Sequence, residues 1–383
     1  MRSSRFGIRF VALLALTACS GTNTGAASTA GETFDPNSVT GTVVLTGWQG
    51  TRDEATALNA TLDAFRARYP KIKVDYQPIA TDYPNAMAAK FKARKPPDLF
   101  YVDSSVAPDW ISQGLLYPLD DWIRSRGFDT GQFYPGYINA FKGPDSKTYG
   151  FPKDGSALGM AYNPDMLRAA GIGTPPTNWD ELVADARKLT SGDTRAFCLS
   201  ATLDRELAFI HQNGGALLSD DKKTAAIDSD ASKEAVRWYL DLFKHDYGVR
   251  PKDLGDDSCE TSLGKGKVAI IFEGGWLDSF MKSTYPNAKY AWAPLPRGKQ
   301  EANIGFTVSF SIGMDSANKD AAWVLLTYLT GSEGMTVWTQ GGVANPSRKD
   351  VPAPAGKEVL VKGSEQARPW SFIPGFSRIV DAF

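Results

Sequence analysis

The sequence predicts an α/β protein built as two domains. Three observations carry that reading. Segments of strand period alternate with segments of helical period, the pattern of a parallel sheet covered by helices. At 383 residues the chain exceeds the length at which one core stops growing, roughly 250–300 residues. Hydrophobic residues make up 42% of it, enough to fill cores and too many for a disordered chain.

The elements follow in order. Residues 42–46 are β-branched and apolar and read as a strand that ends at Gly47-Trp48-Gln49-Gly50. Residues 52–69 place Ala55, Leu58, Leu62 and Phe65 at helical spacing, and Pro70 stops the helix. Residues 72–77 alternate as a strand, 82–93 read as a helix, and 98–102 form a short strand behind Pro96-Pro97. A helix over 107–113 ends before Gly114. The second half repeats the theme: a helix over 180–189 capped through Thr177-Asn178, and another over 232–244 with Ala235, Trp238, Tyr239 and Leu242 on one face. An apolar strand over 268–272 then runs into Glu273-Gly274-Gly275-Trp276. In parallel sheets ligands sit beyond the carboxyl ends of strands. Those ends carry Trp48, Asp82 with Tyr83, and Asp103 with Ser104.

The first residues address the chain. Arg2, Arg5 and Arg9 precede an apolar run over 10–16, closed by Leu16-Thr17-Ala18-Cys19. A basic start, a short apolar stretch and small residues before a cut predict a secretory signal over 1–18. The run is too short to span a bilayer as a helix. Its last four residues resemble a bacterial lipobox, which implies that Cys19 carries lipid and that 19–39, rich in Gly, Ser, Thr and Ala, is a flexible tether. The expected location is therefore outside the cytoplasm, on the cell membrane through a lipid anchor. Two further cysteines remain, Cys198 and Cys259. In an oxidising compartment they can pair, closing a loop of about 60 residues, and this is the favoured reading over two buried free thiols.

Composition removes other classes. Lys and Arg number 42 against 43 Asp and Glu, which lacks the basic footprint of a nucleic-acid binder. Two His and three Cys leave too little for a zinc site, and His211 reads as a satisfied core or surface residue. No Gly-x-Ser-x-Gly elbow and no phosphate-cradling Gly-rich loop ending in Lys-Ser/Thr occurs, so no catalytic residue is assigned. The aromatic residues are more informative. Trp48, Trp276 and Trp338 lie beside glycines or at expected element ends, where a ring can project into a cleft. Sugar rings stack their C–H faces on such planes, while their hydroxyls take carboxylates, amides and Arg.

Four stretches together resemble the solute-binding component of ABC importers, in the carbohydrate-binding family that includes maltose-binding protein. They are Pro97-Asp98-Leu99-Phe100 through Gly114-Leu115-Leu116-Tyr117-Pro118-Leu119-Asp120; Tyr149-Gly150-Phe151-Pro152 with Gly159-Met160-Ala161-Tyr162-Asn163-Pro164 and Asn178-Trp179-Asp180-Glu181-Leu182; Val268 through Gly275-Trp276; and Ala321-Ala322-Trp323 through Leu329-Thr330-Gly331-Ser332-Glu333 with Asn345-Pro346-Ser347-Arg348.

The resemblance implies a periplasmic-binding-protein fold of two α/β lobes hinged by crossing segments, with 40–149 and 295–313 in lobe one and 150–294 and 314–383 in lobe two. It implies crossings at 150–156 and near Ser311. It also implies solute contacts at Trp48, Asp82, Tyr83, Asp103, Ser104, Asp154, Trp276, Gly305, Phe306 and Arg348. The partners it implies are a carbohydrate, probed against a glycerophosphodiester or glycerol phosphate as the rival solute, and the membrane-spanning permease subunits. A monomer is expected, with no cofactor, no metal and no nucleic acid. A secreted carbohydrate-active hydrolase is the remaining rival. Members of this family usually continue for a few helices beyond the segment matching 369–383, so the chain reads as short at this end.

Overall fold

The computed structural model describes residues 34–369 and 373–382. The expected signal over 1–18, the lipidation site Cys19 and the tether up to residue 33 lie outside the described residues. The strands in chain order are β1 (Gly41–Thr46), β2 (Ile72–Tyr76), β3 (Leu99–Asp103), β4 (Phe151–Ala157), β5 (Gly159–Tyr162), β6 (Arg195–Cys198), β7 (Gly248–Val249), β8 (Val268–Glu273), β9 (Ala291–Ala293), β10 (Asn303–Ile312) and β11 (Ala367–Pro369). They form two sheets, ordered β11-β10-β3-β1-β2 with β4 on β10, and β7-β6-β8-β5-β9.

The first sheet starts as the alternation predicts. β1 lies parallel to both β2 and β3, so the chain leaves it to one side and returns to the other. That reversal opens a crevice at the carboxyl ends of β1 and β3. The connecting helix Arg52–Arg68 is fixed at its start by a capping box, in which Glu54 N donates to Thr51 Oγ1 and Thr51 N donates to Glu54 Oε2. Leu58, Leu62 and Phe65 are its buried face. β3 is apolar from Leu99 to Val102 and buried throughout, as a strand covered on both sides must be.

β10 runs antiparallel between β3 and β4. One residue past β4 the chain enters β5, which belongs to the second sheet, and it returns between β9 and β10. β4 and β10 are therefore the strands that connect the two sheets. In the second sheet the fully buried β8 lies parallel to β6 and antiparallel to β5. Its core gathers Met160, Leu182, Phe197, Phe209, Tyr239, Ile270 and Phe272. Cys198 at the end of β6 and Cys259 at the start of the helix Cys259–Gly264 are joined in a disulfide, with Cα atoms 5.3 Å apart.

Two expectations about the lobes are corrected by the packing. Residues 150–157 stand in the first sheet, because β4 pairs with β10 rather than with β5. The helices Lys319–Leu329 and Ser332–Thr339, expected in lobe two, pack on the helix Arg52–Arg68 and on β1 and β10. The reason is the aromatic content of the first of them. Trp323 meets Trp122, Phe128 and Phe151, and Tyr328 meets Phe65 and Tyr69, all residues of the first sheet's side. Asp98 secures the approach by accepting hydrogen bonds from Val44 N, Ser316 Oγ and Asn318 Nδ2. Ser311 itself lies within β10, opposite Phe100 of β3.

Two buried ionisable groups lie in the helix Leu203–Gln212. His211 keeps its Nδ1 3.1 Å from Gly215 O, and burial pulls its imidazole down to about 4, so it is a neutral core residue. Burial pushes the Glu206 carboxyl up from 4.5 to about 7. The folded state thus holds a proton that the unfolded chain releases. This contribution is complete below about pH 4 and is lost as pH rises through about 7. Glu206→Gln is expected to flatten the decline of melting temperature between about pH 5 and 8 and to raise it above wild type at pH 8. An unchanged slope would overturn this assignment.

Candidate functional site

Strand register builds the floor of a cleft. Val308 of β10 pairs with Asp103 of β3 on one side and with Asp154 of β4 on the other, so the two carboxylates flank one row across three adjacent strands. At the usual strand spacing their Cα atoms stand about 10 Å apart. Phe306 pairs with Ser156 in the row two residues on, on the same face. The cleft above has a volume of about 610 Å³ and is lined by strands of the first sheet and by the helices and turns that follow strands of both. Thr51 and Glu54 come from the start of the helix after β1, Glu260 follows the disulfide, Trp276, Ser279 and Ser283 come from the helix after β8, and Asn345 comes from a late loop.

Trp276 is set by the turn before it. A Cβ on Gly274 would lie 2.2 Å from the indole ring, so only glycine admits the ring there. Gly275 N donates to Ser156 Oγ at 2.9 Å, which ties the turn to β4. Lys357, buried, reaches Gly275 O at 3.5 Å and pairs with Asp278 in the first turn of the helix Trp276–Thr284. Asp278 also accepts from Trp292 Nε1 at 3.0 Å. The indole Nε1 donates to Glu273 Oε2 at 2.9 Å, and the ring meets Phe306 edge-on at 5.2 Å. The Trp276 side chain is 36% exposed despite these contacts, so it offers ring surface to the cleft.

The charges near the cleft are assigned in pairs. Arg205 donates to both oxygens of Glu273, at 3.2 and 2.8 Å, pairs with Asp204, and places its guanidinium 5.3 Å from the Trp276 ring. Lys153 pairs with Asp154 and lies 4.2 Å from the Trp338 ring. Asp103 accepts from Ser105 N at 2.8 Å and Ser105 Oγ at 2.5 Å. Burial pushes its carboxyl up, those two hydrogen bonds pull it back, and Asp154 adds an upward push. Asp53 and Lys282 form an ion pair of 2.6 Å that links the helix Arg52–Arg68 to the helix Trp276–Thr284.

Of the ten residues expected to touch solute, Asp103, Asp154, Trp276 and Phe306 line this cleft. The other six stand elsewhere. Trp48 packs edge-on against Tyr83 and Tyr101. Tyr83 is buried and donates its hydroxyl to Tyr101 O at 2.8 Å. Asp82 is exposed at a positive φ of 50° and accepts from Asn85 Nδ2. Ser104 is buried behind β10, with its N–H given to Thr307 O. Gly305 faces Tyr137, whose ring would stand 2.9 Å from an added Cβ. Arg348 is buried and spent on Asp350, at 2.8 and 2.7 Å, beside the Phe133 ring. Trp338 is buried under Lys153.

Thr51, Glu54, Ser156, Glu260, Ser279 and Asn345 escaped the reading of the sequence. A signal existed for the first two: Thr51-Arg52-Asp53-Glu54 is a capping box directly after a strand. Among the described residues no group of three or more His, Cys, Asp or Glu could hold a metal ion, and no helix is long and apolar enough to cross a membrane.

Comparison with known proteins adds to this geometry. Residues 49–336 match the family model described as bacterial extracellular solute-binding protein. A protein of Brucella abortus (strain 2308) is 28% identical over 302 residues, covering 75% of this chain and 71% of the relative. The sugar-binding protein MalE of Xanthomonas citri superposes with a TM-score of 0.79 at 22% identity, over 89% of each chain. UgpB of Mycobacterium tuberculosis, in complex with glycerophosphocholine, superposes with a TM-score of 0.75 at 18% identity, over 90% of this chain and 92% of that one. The fold is thus that of two-lobed periplasmic binding proteins.

Proposed function

The chain belongs to the bacterial extracellular solute-binding protein family, and from that premise we propose that it captures an extracellular carbohydrate, an oligosaccharide, and delivers it to the membrane-spanning subunits of an ABC importer. The observation that carries the choice of solute is the pairing of a partly exposed Trp276, set edge-on to Phe306, with the carboxylates Asp103 and Asp154 in one cleft, lined by strands of the first sheet and elements that follow strands of both. Ring faces stack on the aromatics and hydroxyls donate to the carboxylates. The lobes close about β4 and β10 and desolvate the sugar. Closure sets the spacing of the two rims, a difference that a permease can recognise. The likeness to a sugar-binding protein supports this reading. The protein works as a monomer held to the membrane by lipid on Cys19, as a carrier without catalysis or cofactor.

A glycerophosphodiester is the competing solute, and the likeness to UgpB is its support. The lining speaks against it: among the described residues it holds carboxylates but no Lys or Arg to meet a phosphate, and Arg348 is committed to Asp350. Calorimetry of the mature chain against mono-, di- and trisaccharides and glycerophosphocholine tests the proposal. Saccharide binding near 1 μM, about −8 kcal/mol, is expected, with no heat from glycerophosphocholine. Binding of the phosphodiester alone, or multiple-turnover cleavage of a saccharide, would overturn it.

A further inference from the structure

The cleft is rich in carboxylates. Its lining contains four carboxylates, Glu54, Asp103, Asp154 and Glu260, and among the described residues no lysine or arginine. The cations close by are already engaged. Lys153 neutralises Asp154, and Arg205 is shared by Glu273 and Asp204, which leaves that pair of acids in excess over it. Asn345, buried to 3% exposure, lines the same cleft with a carboxamide that can both donate and accept.

Several donors that face this space are spent. Trp276 Nε1 donates to Glu273, Gly275 N to Ser156, Thr307 Oγ1 to Asp154 O, and Ser283 Oγ to Phe280 O. Carboxylates gathered in one cleft without a cation in its lining repel one another. A solute that fits must therefore supply donors and positive charge. A hydroxyl supplies one donor and brings its own acceptor lone pairs, whereas an ammonium supplies three donors, no acceptor and a charge. An ammonium also gains over an aromatic face, which Trp276 and Phe306 provide.

Resting on the carbohydrate reading above, we propose that the solute class is an amino-substituted saccharide, whose protonated amine is met by Asp103 among the carboxylates of the lining while a ring face covers Trp276. N-acetylated, phosphorylated and uronic sugars lack the charge or carry the wrong one.

The test is calorimetry of the mature chain at about pH 6.5, where a sugar amine is protonated. The probes are matched sets: a β1,4-linked glucosamine trimer, its N-acetylated form and cellotriose, then glucosamine, galactosamine and mannosamine against their parent sugars. In the set that binds best the amine is expected to bind at least about tenfold more tightly than its neutral partners. That ratio should shrink as NaCl rises from about 50 to 500 mM, because the ionic part of the preference is screened. Asp103→Asn should bring the ratio close to one. Glu260→Gln, at a half-buried position in the same lining, should lower it if the Asp103 variant folds poorly. Neutral sugars binding as well as or better than amines overturns this proposal and leaves the carbohydrate reading standing. Silence from every saccharide overturns both.

Discussion

Trp276→Ala is expected to weaken saccharide binding by at least about 2 kcal/mol, roughly thirtyfold in Kd. The ring is the largest side chain offered to the cleft, and its surface is presented rather than buried, at 36% exposure. Stacking contributes about 0.5–1.5 kcal/mol beyond area burial, and covering about half of one indole face at about 25 cal/mol per Å² adds a similar amount. The variant also deletes the Nε1–H donated to Glu273, but Arg205 still satisfies that carboxylate, so stability should fall by no more than about 1 kcal/mol. Trp276→Phe separates the two effects. It keeps a stacking plane without the N–H, and its affinity should lie between wild type and alanine. Calorimetry and a thermal melt on each variant check this. An alanine variant that binds as tightly as wild type would remove Trp276 from the site.

Trp276 lines the cleft, as its place in the sequence leads one to expect, and Arg348 does not; the two differ in whether a neighbouring group competes for the side chain. The Glu273-Gly274-Gly275-Trp276 run is local: an apolar strand, two glycines and an aromatic residue specify a strand-end turn without reference to the rest of the chain. The same holds for the capping box at Thr51 and for the parallel start β1, β2 and β3. Asp103 and Asp154 were legible as residues, but their alignment across Val308 depends on the pairing of three strands distant in sequence. Arg348 depends on a partner two positions away, Asp350, which competes for the guanidinium before any solute does. Trp48 faced the same competition from Tyr83 and Tyr101.

The helix Lys319–Leu329 shows a different limit. It is apolar on nearly every face, with Ala321, Trp323, Val324, Leu325, Leu326 and Tyr328 all buried. Such a pattern states that a helix is covered on all sides but not by which sheet. Only the contacts of Trp323 and Tyr328 place it beside β1 and the helix Arg52–Arg68.

Removing the guanidinium behind the cleft has the larger effect on folding. Arg205→Met is expected to cost about 3–5 kcal/mol near pH 8, because Glu273, with a side chain only 3% exposed, must then hold a buried charge without its partner or take up a proton. Two donors are lost at once, leaving Trp276 Nε1 alone to serve the carboxylate. The pH dependence identifies the cause. Burial already pushes the Glu273 carboxyl up, and Arg205 is the charge that opposes it. Without Arg205 the folded carboxyl rises further, so the folded state of the variant binds a proton that the unfolded chain releases near its ordinary value of 4.5. Stability is then greatest at low pH and falls as pH rises, so the deficit against wild type should be larger at pH 8 than at pH 5. Arg205→Met with Glu273→Gln removes both charges and should recover more than half of the loss, since the amide stays neutral and still accepts from the indole. Denaturant titrations of wild type, both single variants and the double variant at the two pH values complete the cycle. Additive single effects, with no pH dependence in the Arg205 variant, would mean that the pair contributes nothing as a pair and that Arg205 acts only by covering the back of Trp276.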